Sequence, residues 1–349
     1  MRRGLIARSL VELPDAVFDA RLDRVRAAMQ AEELDALVIY TNNTRPAGVS
    51  WLAGFVPYWS EAMLVVPRAA APYLVAALSF RVKPWIGRVS RVAEVLHSPR
   101  VGHKAAQQIA VTQADAAVGV VDYDGLPAGI AEDLREGGPN LTLHDASGLF
   151  ASLRAVADPA EIALASRAAD IGRRALSAAQ GETLNDMIAG VERKARELGA
   201  EEIYIAAASD LECDTRFRRI EGEAAFGKTF ALRATVAYKG IWIRLVRSMC
   251  DTASRQEASA RFAQAVALLP SDRGFTGFRS WLVEGCRIAQ SLDPLIGSRF
   301  GEGHPPLPGA LVSVQAALAV DGQMVLLGAP ALIGQPGEAS SLIADPLYD

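Results

Sequence analysis

Apolar and charged positions alternate along this chain with two different periods, and the pattern changes near its middle. Between residues 20 and 33, Leu22, Val25, Ala28 and Met29 recur at helical spacing with charges between them, which predicts an amphipathic helix. Residues 36–40 are a short apolar run ended by Asn42 and Asn43, the pattern of a buried strand that runs into a turn. Residues 62–66 and 73–78 read as successive strands around a turn marked by Pro67 and Pro72. Residues 117–121 read as another strand and 129–135 as a helix. This alternation predicts an α/β domain ending near residues 147–150.

The second half opens differently. Asp158 is suited to cap a helix whose first position is held by Pro159. Ile162, Leu164, Ala168, Ile171 and Ala175 follow at mostly helical intervals. Thr183, with Asp186 three residues on, predicts a second helix start, a variant of the capping box. Leu184, Met187, Ile188, Val191, Ala195 and Leu198 supply its apolar face, and Gly199 its end. Strand-like runs then cover residues 203–208, 229–238, 241–246, 311–318 and 324–327. Two helices before an antiparallel-looking sheet predict an α+β layout, with domains at residues 1–150 and 151–349.

Composition narrows the function classes. With 349 residues, 50% of them hydrophobic and 22% charged, the chain can bury two cores. A net charge of −4 argues against a nucleic-acid or anionic-membrane partner held by bulk charge. No run approaches the roughly 18 apolar residues that a membrane span needs. The basic residues 1–8 have no long apolar stretch behind them, so no signal peptide is expected. Three cysteines, Cys213, Cys250 and Cys286, form no C-x-x-C pair, and their odd number is no disulfide framework. A cytoplasmic location is the expectation.

Several stretches together resemble the creatinase / aminopeptidase P / prolidase (pita-bread) family. Residues 21–26 through 34–38 are similar to the opening helix and strand of that family's N-terminal domain. Residues 49–55, VSWLAGF, resemble its "Y-L-T-G-F" segment, and residues 153–162, LRAVADPAEI, resemble the approach to its catalytic domain. Residues 182–200 resemble the next helix and its exit. The resemblance spans roughly residues 20–338. It implies a creatinase-type α/β N-terminal domain, a pita-bread C-terminal domain and a homodimer.

The same resemblance removes the family's metal chemistry. Its metallopeptidases bridge two metal ions with two Asp, one His and two Glu. The segment "D-x-G-x-x-Y-x-G-Y-x-x-D-x-T-R-T" matches residues 233–248, where both Asp positions are arginine, Arg233 and Arg244. "G-M-V-x-S-x-E-P" matches residues 309–316, so a Glu becomes Gln315. The last Glu falls near Gly328, and the His motif falls near residues 293–297, which hold no histidine. A guanidinium keeps its proton and offers a metal no lone pair. No metal and no other cofactor is therefore expected.

Two inward arginines need anionic partners. One reading is a pocket for a small carboxylate-bearing substrate, with Arg233, Arg244, Arg216, Arg218 and Gln315 holding it and Tyr238 or Trp242 as a wall. Nothing in the sequence tells which of Arg216, Arg218 and Arg219 faces inward. Glu221, Glu223 and His304 are the candidates for moving protons. The competing reading is a buried network in which Glu221, Glu223, Glu284 or Glu302 neutralises the arginines. Arg247 matches the family's own arginine and reads as structural. Basic neighbours could lower the thiol pKa of Cys213 or Cys250. Trp51 reads as core, while Tyr58 and Trp59 lie on the segment that in the family reaches a partner. The leading expectation is a metal-independent, creatinase-like hydrolase or lyase acting on a C–N bond. The alternative is a catalytically inactive homologue that serves as a binding or scaffold protein.

Overall fold

Helix α1 (Asp15–Ala31) forms over the first periodic stretch and buries Phe18, Arg21, Val25 and Met29, three or four residues apart. The uninterrupted apolar run after it becomes β1 (Ala36–Asn42), covered on both faces. The computed structural model describes residues 9–57, 59–286 and 298–344. The chain divides into two units, residues 1–154 and 155–349.

The first unit is built on a six-stranded mixed sheet. To β1 it adds β2 (Glu61–Pro67), β3 (Tyr73–Ala76), β4 (Glu94–His97), β5 (Ala117–Val121) and β6 (Thr142–Asp145), in the order β4-β3-β2-β1-β5-β6. β1–β2 and β2–β3 are antiparallel pairs, and β3–β4, β1–β5 and β5–β6 are parallel. Alternation along β1 sends Leu37 and Ile39 into one apolar cluster and Ala36, Val38 and Tyr40 into another. α1, α2 (Ala47–Ala53), α3 (Lys83–Val89) and α6 (Ser147–Leu153) contribute to the first cluster. α4 (Val101–Thr112) and α5 (Ala128–Gly137) cover the second. Trp51 is core, as expected, with its ring edge-on to Phe150 at 5.6 Å.

The second unit begins with α7 (Pro159–Leu176) and α8 (Leu184–Glu197). Asp158 with Glu161, and Thr183 with Asp186, form the reciprocal caps that the spacing predicts. An eight-stranded sheet follows: β7 (Glu202–Ala208), β8 (Phe230–Tyr238), β9 (Ile241–Met249), β10 (Ser280–Gly285), β11 (Ser298–Phe300), β12 (Leu311–Val320), β13 (Gln323–Leu332) and β14 (Ser341–Leu342). Its order is β11-β10-β12-β13-β9-β8-β7, with β14 against β13. Neighbours are antiparallel except β10 and β11. The β8–β9 and β12–β13 hairpins turn on Lys239-Gly240 and Asp321-Gly322. All four of these residues have positive φ, as two-residue hairpins of this twist require. The α+β layout expected from the pattern is the one that forms. α9 (Thr252–Ala267) escapes the pattern because several of its buried residues are Ala258, Ser259 and Ala265, which carry little apolar signal.

One face of this sheet packs against α7, α8 and α9. Ile203, Ile205, Leu232, Ala234, Val236, Ile243, Leu245, Val314 and Leu327 all point into that core. The intervening residues of the same strands point the other way, and there the chemistry lies.

Candidate functional site

The second face is assembled by register. Arg233 on β8 stands opposite Ala206 on β7 and Val246 on β9. Val246 stands opposite Gly328, Gly328 opposite Gln315, and Gln315 opposite Leu282. One row therefore crosses the sheet and carries three of the positions at which the resemblance expects metal ligands: 233, 315 and 328. The fourth, Arg244, stands opposite Thr235, one pleat along on the same face. Glu284 on β10, opposite Ser313, projects from this face too.

The arginines are enclosed and already engaged. Arg233 is 3% exposed, and its Nη1 donates to Gln315 Oε1 at 3.3 Å. Its guanidinium carbon lies 4.8 Å from the ring centre of Phe217. Phe217 and Leu211 belong to a loop that returns along β7, with Ala207 and Arg218 exchanging backbone hydrogen bonds. Their side chains join Ala206, Ala208, Ala231, Val246, Ala317 and Leu326 in a small apolar cluster on this face. Arg244 is buried and forms an ion pair with Glu284, whose side chain is 21% exposed. A Cβ on Gly328 would stand 2.7 Å from Val246 Cγ2 and 3.3 Å from Gln315 Cγ. No carboxylate-bearing side chain enters there unless its neighbours shift.

Two rows toward the hairpin end carry an aromatic and acidic group. Trp242 stacks on Tyr204 at 5.8 Å and 8°, and the Tyr204 hydroxyl donates to Glu202 Oε2 at 2.6 Å. Glu202 and Trp242 are both buried. Alternation along β7 carries the signal that puts Glu202 and Tyr204 on the arginine face. Phe217 sits in a loop, which gives its direction no comparable signal.

The other expected site residues go elsewhere. Arg216 and Arg218 turn outward, and both meet the Asp214 carboxylate, at 2.8 and 2.9 Å. Those bonds, chiefly the one from Arg216, hold the Asp214 carboxyl well below the usual carboxylate range. Glu221 is exposed and 3.9 Å from the exposed Arg219, and Glu223 is exposed as well. Their expected role beside Arg233 and Arg244 is corrected: among the described residues, it is Glu284 whose carboxylate pairs with an arginine of this face. His304 ends a short turn and is exposed, which does not bring it into the buried group. Tyr238 packs on the helix-covered core, so of the two expected wall residues Trp242 is the one on the arginine face. Arg247 points to the helices and donates to Ser177 Oγ at the end of α7, a structural contact. The thiols shift opposite to the expectation from basic neighbours. A hydrogen bond to Asp210 raises Cys213, and burial raises Cys250. Burial pushes the Cys286 thiol up to about 12 despite the Arg244 charge. The expected His-motif position at 293–297, Tyr58 and the Glu302 side chain lie outside the described residues.

This donor set does not fit a divalent metal ion. Four of the expected ligand positions hold two guanidiniums, an amide and a glycine. Among the described residues, no group of three or more His, Cys, Asp and Glu is placed to hold one. Nor does any described helix have the length and apolarity to cross a membrane.

Residues 21–156 match the family model of the Creatinase/Prolidase N-terminal domain. No curated protein matches the sequence. Among solved structures, an X-Pro aminopeptidase from Thermotoga maritima superposes with a TM-score of 0.70 at 13% identity, covering 94% of this chain and 98% of that one. A Xaa-Pro dipeptidase from Bacillus anthracis gives 0.68 at 16% identity, covering 95% and 99%. The N-terminal domain of FACT complex subunit SPT16 from Cicer arietinum gives 0.60 at 13% identity, covering 96% and 97%.

Proposed function

We propose that this chain, which carries a creatinase/prolidase N-terminal domain and a pita-bread C-terminal domain, is a non-peptidase member of that fold that works as a binding or scaffold protein. The observation that carries the reading is the pairing of Arg244 with Glu284 beside the Arg233–Gln315 contact. Positions that would have to offer lone pairs to a metal instead hold fixed cations, and the chain supplies their partners itself. Phe217 lies over the Arg233 guanidinium, and Val246 lies against Gly328. The fold is compatible with either role: similar structures include X-Pro peptidases and a domain named as a subunit of a complex. A homodimer is part of this reading and is measurable by light scattering. The main test is metal content after purification with Mn²⁺, Co²⁺ and Zn²⁺, together with hydrolysis of Xaa-Pro dipeptides. The expected result is neither a stoichiometric metal nor hydrolysis. A stoichiometric ion that supports hydrolysis overturns the reading.

A second reading rests on a different observation. The Glu284 side chain keeps about a fifth of its surface exposed, although the Oε1 that meets Arg244 is buried. A small carboxylate could replace Glu284 on Arg244, as a metal-independent enzyme cleaving a C–N bond would need. Thermal-shift screening of small carboxylates and amides separates the readings. Stabilisation of the wild type that disappears in Arg244→Ala favours the enzyme. No such stabilisation favours the binding protein.

A further inference from the structure

Residues 304–309 of the second unit read HPPLPG, with prolines at 305, 306 and 308. A proline holds its own φ near −65° and pushes the residue before it into extended backbone. His304, Pro305 and Leu307 each precede a proline, and His304 has φ −124° and ψ 145°. At the far end the Ala310 N–H bonds to the Leu307 carbonyl at 3.0 Å, and Gly309 has φ +78°. That is a type II turn with Pro308 at its second position, a position that is itself extended. Residues 305–308 are therefore held in polyproline II backbone, and no helix or strand forms over 305–307.

Both ends of the segment are pinned. A Cβ on Gly301, in the turn before it, would stand 3.2 Å from Glu284 Cβ. The Gly309 N–H bonds to the Ile333 carbonyl at 2.9 Å, and the Gly309 carbonyl accepts from the Ala157 N–H at 3.0 Å. Between these anchors the backbone is not used by the fold. Among the described residues, no hydrogen bond takes up the carbonyls of His304, Pro305 or Pro306. Leu307 is 56% exposed, and Pro305 is exposed as well.

We propose that residues 304–308 are a ligand for a second protein, a small domain that grips polyproline II chain in an aromatic-lined groove. Tyr and Trp side chains in such a groove supply both a ring for the prolines and a donor for the outward carbonyls, and this segment offers both partners. In a three-residue repeat Pro305 and Pro308 share one edge, and Leu307 lies on the next. The pinned ends leave little backbone freedom to lose on binding. The segment holds no Lys, Arg, Asp or Glu, so it gives nucleic acid or an anionic lipid surface no charge to meet. A second copy of the chain fits less well: five residues at roughly 3.1 Å each span about 15 Å, whereas a stable interface takes about 800 Å² from each partner. The proposal gives the binding reading a class of partner, yet it rests on a different segment, so its failure leaves the arginine face as read.

The test is binding of the intact chain to a panel of immobilised SH3, WW and EVH1 domains, read by biolayer interferometry. At least one domain should bind, with an affinity that hardly changes as salt rises, because no charge pair is involved. Pro305→Ala/Leu307→Ala should weaken that binding by about tenfold or more, with the melting temperature little changed because both positions are exposed. Leu268→Ala removes a leucine that is also 56% exposed, outside the segment, and should leave the binding as it is. The proposal is overturned if no domain of the panel binds, if the double variant binds equally well, or if Leu268→Ala weakens binding as much. It is also overturned if light scattering shows that the double variant turns a dimer into monomers, which would assign the segment to a second copy of the chain.

Discussion

On β8, Leu232, Ala234 and Val236 turn toward the helices, while Arg233 and Thr235 turn the other way. Both faces are buried, but for different reasons. The helix-covered face is held by apolar area, which needs no particular partner. The opposite face holds Arg233, Arg244, Gln315, Glu202 and Thr235, each under a tenth exposed, and each needs a specific partner to remain there. The comparison teaches that a polar face stays buried by finding partners within itself: Glu284 for Arg244, and Gln315 and the Phe217 ring for Arg233.

Several substitutions would break or sharpen this contrast. The largest effect should fall on the apolar face. Phe262, on α9, is fully buried there, and Phe262→Ala should cost about 3–5 kcal/mol in denaturant unfolding. A cost below that of the polar-face variants would invert the comparison. Next comes the closed space on the polar face. Gly328→Ala places a methyl 2.7 Å from Val246 Cγ2 and should cost about 1–3 kcal/mol by overpacking. Adding Val246→Ala should recover part of that loss, and no recovery would mean the space is not what Val246 fills.

The smallest effect tests a carboxylate with no arginine. Glu201, just before β7, has its pKa raised, by burial first, with Lys239 and backbone N–H groups pulling it down. A raised carboxyl pKa means that the native state binds the proton more tightly than the unfolded chain does. Its contribution is therefore unchanged below the ordinary value of 4.5 and turns unfavourable as the pH rises through the raised value. Glu201→Gln should leave stability unchanged at acid pH and increase it slightly at neutral pH, measured as melting temperature against pH. A stabilisation larger in acid would contradict the assignment.

Much of the architecture is readable from local pattern. The caps at Asp158 and Thr183, the alternating strands and the order of family-like segments all act within a few residues, where periodicity reports directly. The substitution of Arg233 and Arg244 for carboxylates is also legible, as is the list of glutamates from which Glu284 comes. The choice among those glutamates is not. Glu221 and Glu223 lie close to the arginine-rich loop in sequence, yet strand pairing brings Glu284, 40 residues from Arg244 in the numbering, onto the same face. Arg216 and Arg218 could not be oriented from sequence because they sit in a loop, where no alternation applies, and Asp214 captures both. Tyr238 and Trp242 flank one hairpin turn, and alternation separates them: Tyr238 is an odd number of residues from Arg233 on β8, Trp242 an even number from Arg244 on β9.

The account depends most on the ion pair that closes the second face, and a double-mutant cycle on it is the direct test. Arg244→Ala alone should cost about 2–4 kcal/mol, because it strands a mostly buried carboxylate, while Arg244→Met with Glu284→Leu should come close to the wild type. Urea unfolding of Arg244→Ala, Glu284→Ala and the double variant should then give a coupling energy of about 1–3 kcal/mol. Additive losses, with no coupling between the two positions, would show that Arg244 and Glu284 do not neutralise each other and would contradict the account.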